Sequence, residues 1–192
     1  GFLPGVEEFA ALSLVITDKG QFFLADTQVR YDPSAEEIAE MAMLAAAHVR
    51  RFGLEPKIAL VSHSNFGSFD TPSARKMRAA AGMLSDGKVD FEVDGEMHAD
   101  AALDPRERER ALPHSRLKGQ ANVLIFPSLD AANIAYESMR VLAGALPVGP
   151  ILIGAARPVH VVTASTTARG IVNMTAVAVV EAQAEVREQA AE

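Results

Sequence analysis

The sequence predicts an α/β protein whose sheet is at least partly parallel and flanked by helices. Two β-favouring runs near the start are separated by a tight turn, and two later segments repeat the order buried strand, polar loop, helix. Strands that alternate with helices in this way build a mixed or parallel sheet with helices packed against it. A chain of 192 residues that is 49% hydrophobic is long enough to bury a substantial core.

The first two strands are expected at residues 11–16 and 21–25. Both runs are rich in β-branched, aromatic and other large apolar residues, and Asp18 and Gly20 between them suit a tight turn. These features predict an antiparallel hairpin.

The first helix is expected to begin after Ser34, because Glu37 stands three residues later. The hydroxyl and the carboxylate of such a capping box each accept a hydrogen bond from an otherwise unpaired backbone N–H. Apolar residues then recur at steps of three and four, and Gly53 supplies a helix-ending residue. The helix should therefore run to about Phe52 with one face in the core.

Two strand-loop-helix units follow. Residues 57–62 form a continuous apolar run of the kind found in buried strands, and a polar loop leads from it to a helix opened by Pro72. The same order recurs with a strand at 121–126 and a helix at about 131–143. Their repetition predicts that these strands lie parallel in one sheet.

The C-terminal part is expected to contain strands at 151–153 and 159–162 and a long helix over about 166–187. The middle of that helix is apolar nearly all round, so it requires burial by another lobe or subunit. Residues 104–118 are poor in apolar periodicity and rich in charge, and we expect them to form a mobile excursion over the cleft.

Composition excludes several classes of protein. The 25 acidic and 18 basic residues give a net charge of -7, which argues against nucleic acid and membrane partners. Cysteine is absent, so disulfides, thiolate zinc sites and cysteine nucleophiles are excluded. Neither a membrane-spanning run nor a signal peptide is recognisable, and we expect a cytoplasmic location.

Residues 62–68 are a candidate binding loop at the carboxyl end of a predicted buried strand, where open α/β sheets place their ligands. Their hydroxyls, amide and backbone N–H groups suit an anion, although the same residue types make an ordinary turn. His63 lies between Ser62 and Ser64, yet neighbours on a strand face opposite ways and no Gly-x-Ser-x-Gly elbow is present. A serine hydrolase is therefore excluded.

Acidic and imidazole side chains alternate at Asp94, Glu96, His98 and Asp100. On an extended strand they would project from one face as ligands for a divalent metal. If the chain instead turns into a helix near Met97, the alternation breaks and the groups become caps or cleft hydrogen-bonding groups. We favour the second interpretation, and neither a glycine-rich phosphate loop nor a dinucleotide fingerprint is present.

Residues 163–169 carry four hydroxyls and the cation Arg169 at the start of the last predicted helix. Backbone N–H groups, the helix dipole and the guanidinium together suit a phosphate or an acyl carbonyl. An ordinary helix cap explains the same residues.

Longer segments resemble the phosphate acetyltransferase/butyryltransferase family over about residues 12–187. They read DGE at 94–96, DAAL at 100–103, LKGQANVLIFP at 117–127, LDAANIAY at 129–136 and GPIL at 149–152. Three further segments, at 62–68, 73–78 and 169–176, resemble the version of this family that is fused behind the catalytic part of NADP-dependent malic enzymes.

The resemblance implies a three-layer fold of the isocitrate/isopropylmalate dehydrogenase type, with a mixed sheet and two lobes around a cleft. It implies the second lobe at 12–150 and a returning segment of the first lobe with the C-terminal helix at 151–192. Residues 1–11 contain no complete structural unit before the first predicted strand, so we expect them to be a leader or a remnant of a longer polypeptide. An N-terminal malic enzyme domain would precede them and would hold NADP and Mg or Mn. A homo-oligomer, with dimers building into a hexamer or larger, is also implied.

The resemblance also implies a loss of catalysis. The Ser-Arg pair and the Asp of the family's acyl transfer correspond here to Thr163, Ala164 and Gly170. We therefore expect no catalytic residue and no metal ligand in this chain, and we expect acetyl-CoA or a related CoA ester to bind as an allosteric effector. The expected effector-binding residues are Ser64, Asn65, Gly67, Ser68, Asn133, Thr163, Ser165, Thr166 and Arg169.

Two other functions remain open. The chain is a working phosphate acetyltransferase if Ser165 and Arg169 replace the lost groups from nearby positions. It is purely an oligomerisation domain if the cleft is vestigial.

Overall fold

The computed structural model describes residues 1–164 and 166–189, and the segments within them form one six-stranded sheet with helices. The strands are β1 (Ala10–Thr17), β2 (Gly20–Ala25), β3 (Lys57–Val61), β4 (Glu92–Met97), β5 (Val123–Ile125) and β6 (Leu146–Ile153). The helices are α1 (Ala35–Arg51), α2 (Pro72–Asp86), α3 (Ala99–Leu103), α4 (Pro105–Ala111), α5 (Leu129–Leu142) and α6 (Ala168–Gln189).

The sheet is mixed, with strand order β4-β3-β5-β2-β1-β6. β1 pairs antiparallel with both β2 and β6, whereas β2, β5, β3 and β4 lie parallel to one another. Every strand except β1 therefore ends at the same side of the sheet. We call this side the carboxyl edge and define it by Ala25, Val61, Met97, Ile125 and Ile153.

Helices cover both faces of the sheet, because alternate strand residues point to opposite sides. Ile58 and Leu60 face one core cluster, together with Met41 of α1 and Met77 of α2. Ala59, Val61 and Leu124 face the other cluster, which also includes residues of α3 and α5. The predicted α/β class, hairpin and parallel units are confirmed.

Local signals in the sequence set the start and the end of α1. Ser34 Oγ accepts a hydrogen bond from the backbone N–H of Glu37, and the Glu37 carboxylate accepts one from the N–H of Ser34. Gly53 has a φ of 74°, in the left-handed region that glycine adopts without strain. Both predicted capping features are confirmed.

β6 begins at Leu146, five residues before the strand expected at 151–153. Pro147, Gly149 and Pro150 concealed its first part, because these residues usually interrupt strands. Proline is tolerated here because β6 is an edge strand, with one side free of a ladder. The boundary expected between residues 150 and 151 falls inside β6, and the division into lobes stays a prediction.

The strand expected at 159–162 is wrong. The segment lies beside the outer edge of β6 without forming a ladder, and the backbone N–H of Leu152 donates instead to His160 Nδ1, at 3.2 Å. A valine-rich run is not sufficient for a strand, since a strand also needs a neighbour in register.

Residues 104–118 form α4 and a following loop, so the expected excursion over the cleft is also wrong. Arg108 of α4 is buried, and its guanidinium donates to four backbone carbonyls, two in α3 and two in the loop after α4. Arg108 is therefore an interior residue, although it lies in a segment whose composition is typical of an exposed surface.

The long C-terminal helix is confirmed as α6, although it begins two residues later than expected. Most of its described apolar residues are exposed, including Val172 at 65% and Val186 at 66%. None of the described helices is both long and apolar enough to cross a lipid bilayer.

Candidate functional site

The loop after β3 closes around a buried carboxylate at the carboxyl edge. The side chain of Glu96, in β4, is fully buried. Its Oε1 accepts hydrogen bonds from Ser64 Oγ at 2.7 Å and from the backbone N–H of Gly67 at 2.8 Å. Arg78 of α2 completes the arrangement, with Nε 3.1 Å from Oε2 and Nη2 3.0 Å from Oε1. The donors of Ser64 and Gly67 are thus engaged by the protein itself.

Hydrogen bonds within the loop hold its remaining residues. The N–H of Asn65 donates to Ser68 Oγ at 2.8 Å, and the N–H of Ser68 donates to the Asn65 carbonyl at 3.0 Å. Asn65 Oδ1 accepts the backbone N–H of His98 at 2.7 Å, which ties the loop to the end of β4. Gly67 has a φ of 87°, which permits the reversal. The side-chain NH2 of Asn65 donates to no group of the described residues and remains available for a ligand.

The charge of Glu96 is maintained by its partners. Burial by itself raises the pKa of a carboxyl group, but hydrogen bonds from Arg78, Ser64 and Gly67 outweigh burial and hold the pKa of Glu96 below its ordinary value. Because the folded state favours the ionised form, these contacts stabilise the fold at neutral pH. That contribution is lost as the pH falls through the pKa of the folded protein.

The acidic residues around Glu96 are also engaged by the protein. Asp94 Oδ2 accepts from Ser115 Oγ at 2.8 Å and from the N–H of Arg116 at 2.6 Å, which anchors the loop after α4. Asp100 accepts from the N–H of Ala101 at 2.7 Å in the first turn of α3. Within residues 1–164 and 166–189, no three ligand-type side chains converge on a metal position. The geometry corresponds to the hydrogen-bonding interpretation.

Asn133 lies at the same edge, in the second turn of α5. Its Nδ2 donates to the carbonyl of Thr27, in the loop after β2, at 3.3 Å. Thr27 is buried and its hydroxyl lies 2.7 Å from Ser13 Oγ. Asn133 thus contacts a loop that the hydrogen bond between Thr27 and Ser13 anchors to β1.

The residues before α6 form a second group. The N–H of Thr163 donates to Thr166 Oγ1 at 3.1 Å, and the N–H of Thr166 donates to the Thr163 carbonyl at 3.0 Å. Thr167 caps the helix, since its Oγ1 accepts from the N–H of Gly170 at 3.1 Å. Arg169 is exposed. Ser165, also expected to bind the effector, lies outside the described residues.

The structure therefore divides the expected residues between two places. Ser64, Asn65, Gly67, Ser68 and Asn133 lie at the carboxyl edge, whereas Thr163, Thr166 and Arg169 lie at the start of α6. In the described part of the chain, neither Thr166 nor Arg169 forms a hydrogen bond or ion pair with the loop after β3. Their role in binding an effector stays a prediction.

Arg78 is the functional residue that the sequence did not single out. It belongs to a segment that carried the family resemblance, but its partner Glu96 is 18 residues away. Only its position on the inner side of α2, next to the loop after β3, reveals its role. The sequence allows a pair between Glu96 and Arg78, but it allows many other pairs of acidic and basic residues equally well.

Replacing Glu96 with alanine should lower the free energy of unfolding by about 3 kcal/mol, because Arg78, Ser64 and Gly67 would lose a buried acceptor. Glu96→Gln keeps an oxygen acceptor and should lower the free energy of unfolding clearly less. Urea denaturation of the 192-residue chain measures both. Asp90→Ala is the matched control, since Asp90 pairs with Arg50 at 3.0 Å but is 79% exposed, and it should change stability by less than about 0.5 kcal/mol. Equal losses for Glu96→Ala and Asp90→Ala would contradict the assignment.

Comparison with known proteins places the chain among acyltransferases and malic enzymes. Residues 1–179 match the family described as phosphate acetyl/butaryl transferase. An NAD-dependent malic enzyme of Rhizobium meliloti (strain 1021) is 52% identical over 181 residues, which are 94% of this chain and 24% of the relative. An NADP-dependent malic enzyme of Escherichia coli (strain K12) is 48% identical over 184 residues, which are 95% of this chain and 24% of the relative.

The fold is found in a solved structure as well. The EutD phosphotransacetylase from Staphylococcus aureus superposes with a TM-score of 0.89 at 30% identity, over 94% of this chain and 56% of that chain. This chain spans about a quarter of the length of the malic enzymes and matches their C-terminal region. It therefore belongs to the phosphate acetyl/butaryl transferase family and is similar to the form of that family found at the C-terminal end of NAD- and NADP-dependent malic enzymes.

Proposed function

We propose that the chain is the regulatory and assembly domain of a malic enzyme, and that it binds acetyl-CoA or a related CoA ester without transferring the acyl group. The similarity to the C-terminal region of malic enzymes supports this context. The parent reaction would be the oxidative decarboxylation of malate to pyruvate with NADP. It would take place in an upstream region that also holds Mg or Mn.

The position of Thr166 carries the proposal that acyl transfer has been lost. The family resemblance places a catalytic aspartate at Gly170. A Cβ atom added to Gly170 would lie 2.8 Å from Thr166 Cγ2, closer than side-chain atoms approach one another. An aspartate at this position would therefore require the Thr166 side chain, which accepts the N–H of Thr163, to shift.

The two other replacements act in the same direction. Ala164 supplies no guanidinium for the developing oxyanion, and such a donor typically contributes about 100- to 1,000-fold in rate. Loss of the carboxylate base at Gly170 costs roughly 100-fold. Either loss alone leaves a poor transferase, while the surrounding groups remain able to hold a CoA ester.

The two groups of polar residues suit different parts of an acyl-CoA. Arg169 and the first N–H groups of α6 offer positive charge to a phosphate, and the helix dipole reinforces this. The NH2 of Asn65 at the carboxyl edge offers a donor to a carbonyl. A two-lobed fold of the isocitrate/isopropylmalate dehydrogenase type would bring both groups to one cleft.

The divalent metal belongs to the upstream region in this proposal. Glu96 already accepts hydrogen bonds from the loop after β3, and Asp94 accepts them from the loop after α4, so a metal ion would fit only if these hydrogen bonds were broken. No step of the proposed function in this chain passes through a metal.

The exposed apolar residues of α6 support a role in assembly. Val172, Val179 and Val180 are each at least 49% exposed in a helix whose other side packs on the core. Apolar area of this kind is normally covered by another lobe or subunit. A homo-oligomer, with dimers building into a hexamer or larger, is the proposed arrangement, and allostery requires the effector to distinguish two of its conformations.

The decisive experiment is malate oxidation by a polypeptide in which this chain follows the malic enzyme catalytic region, with and without acetyl-CoA. Arg169→Ala should raise the half-maximal effector concentration about tenfold, since a charge-assisted phosphate contact is lost. Asn65→Asp keeps the acceptor for His98 but replaces the donor with a negative charge, and it should also weaken the response. Arg187→Ala, in the last turn of the same helix, is the matched control and should respond normally.

An identical acetyl-CoA response in all variants would contradict the proposed residues, and no response in the unchanged enzyme would contradict the effector role. The latter result, together with intact assembly, would support a purely structural oligomerisation domain.

Active phosphate acetyltransferase is the second candidate function, and the likeness to a phosphotransacetylase at a TM-score of 0.89 favours it. Formation of acetyl-CoA from acetyl phosphate and CoA by the unchanged protein, abolished by Arg169→Ala, would establish it in place of effector binding.

A further inference from the structure

Glu181 of α6 is a buried acid that the proposed function does not use. Only three described side chains of α6 are buried, those of Met174, Val177 and Glu181. Their spacing of three and four residues is that of a core-facing helix stripe, in which an apolar residue is expected at the third position. A buried carboxylate is strongly unfavourable unless it is paired, so the partners of Glu181 are informative.

Two histidines from different parts of the chain are those partners. Glu181 Oε1 lies 3.1 Å from His48 Nδ1 of α1, and Oε2 lies 2.9 Å from His160 Nε2 in the segment after β6. All three side chains are at most 5% exposed. We call this group the Glu181 clasp. It joins α6 to α1 and to the segment along the outer edge of the sheet.

Hydrogen bonding sets the protonation of His160. Its Nδ1 accepts the backbone N–H of Leu152 at 3.2 Å, so this nitrogen carries no proton. Nε2 therefore carries the proton and donates it to Glu181. The same tautomer rules out metal binding through Nε2, because a protonated nitrogen has no lone pair to offer.

His48 has one nitrogen engaged and one without a partner. Its Nδ1 donates to the Glu181 carboxylate, whereas its buried Nε2 has no hydrogen-bond partner among residues 1–164 and 166–189. A cavity of about 50 Å³ lies alongside, lined in part by His48, Arg51, Arg157 and Glu181. A proton added at Nε2 would turn this nitrogen into a charged donor with no partner among the described residues.

We propose that the Glu181 clasp is a pH-sensitive latch, in which mild acid favours release of α6 from α1 because His48 accepts a proton once α6 has moved away. In the closed state the ring is kept neutral by its surroundings. In the open state it meets water and behaves as an ordinary histidine. Acid therefore stabilises the open state selectively.

Both burial and the neighbouring charged groups determine the pKa of His48. Burial lowers the pKa of His48 to about 4, Glu181 partly offsets this, and Arg51 on α1 and His160 oppose the proton further. Arg157, in the segment after β6, also lines the cavity. Since the pKa in the closed state is lower than the ordinary value near 6.5, closure is fully favoured above about pH 6.5 and weakens as the pH falls towards about 4.

Hydrogen exchange of the 192-residue chain tests the latch. The pKa of His48 is about 6.5 in the open state and about 4 in the closed state. Protection of the α6 amides should therefore fall about tenfold between about pH 7.5 and about pH 5.5, after correction for intrinsic exchange rates. The amides of α2 should keep their protection, because no hydrogen bond or ion pair joins the described residues of α2 to the clasp. His48→Asn is the matched variant, since its side-chain NH2 replaces the Nδ1 donor but does not titrate, and its α6 protection should not depend on pH.

Three results would overturn the latch. The first is α6 protection in the unchanged protein that is the same at both pH values. The second is a fall in α6 protection in His48→Asn that is as large as in the unchanged protein, which would assign the titration to another group. The third is an equal fall in α2, which would mean that acid unfolds the whole protein and does not release α6 selectively. None of these depends on whether acetyl-CoA binds.

Discussion

Phosphate acetyltransferase activity should rise by at least about 100-fold when Thr163→Ser, Ala164→Arg and Gly170→Asp are combined with Thr166→Ser. The first three changes restore the residues that the family resemblance places at these positions. The fourth removes the methyl group that lies 2.8 Å from the future Cβ of residue 170. It keeps the hydroxyl that accepts the N–H of Thr163.

The expected size of the effect follows from the two groups that are regained. A guanidinium aimed at the oxyanion contributes about 100- to 1,000-fold, and a general base contributes roughly 100-fold. Catalytic groups that act together are not additive, so the smaller single contribution sets the minimum. Appearance of the acetyl-CoA thioester from acetyl phosphate and CoA measures the rate, in the polypeptide that includes the upstream region.

The variant without Thr166→Ser is the internal control. It should gain less activity, because the aspartate stem meets the Thr166 methyl group. A folded fourfold variant that binds acetyl-CoA but shows no gain in transfer would contradict the proposal that these positions account for the loss of catalysis.

Arg108→Ala should lower the free energy of unfolding by about 3–5 kcal/mol, the range for removing one partner of a buried charged network. The guanidinium lies 2.8 Å from the Ala101 carbonyl and 3.3 Å from that of Ala102, and it also donates to the carbonyls of Leu117 and Gly119. Alanine would remove the guanidinium donor from the carbonyls of Ala101, Leu117 and Gly119, whereas the Ala102 carbonyl would keep the N–H of Ala121. Urea denaturation measures the loss.

Two variants sharpen this test. Arg106→Ala lies in the same helix, but its side chain is 91% exposed, so it should change stability by less than about 0.5 kcal/mol. Arg108→Lys keeps the charge, but one ammonium group cannot reach four carbonyls. Its loss of unfolding free energy should lie between those of Arg108→Ala and Arg106→Ala. Equal stability of Arg108→Ala and Arg106→Ala would contradict the interior role of Arg108.

Much of the fold could be predicted because its signals are local. The capping box of Ser34 and Glu37 spans three residues, and the turn between β1 and β2 depends on neighbours in the chain. The apolar periodicity of α1 likewise indicates which face is buried. Predictions became wrong where contacts between distant segments decide the structure, as in residues 159–162, which meet β6 through the His160 side chain and form no backbone ladder with it.

The candidate site could be predicted in position but not in bonding. A polar loop after a buried strand indicated the carboxyl edge, and the loop after β3 lies there. The sequence could not indicate that Glu96 occupies the donors of Ser64 and Gly67, because these partners are 32 and 29 residues away from it. Arg78 escaped notice for the same reason.

The sequence by itself determined the α/β class, the helix caps and the family resemblance, all of which rest on residue type and short-range order. Only the tertiary structure decided what Asp94, Glu96 and Glu181 do, although the three are alike as isolated acidic residues. One anchors a loop, one centres the candidate site and one joins two histidines. The physical reason is that burial removes water as a partner, so each carboxylate depends on the donors that folding brings to it.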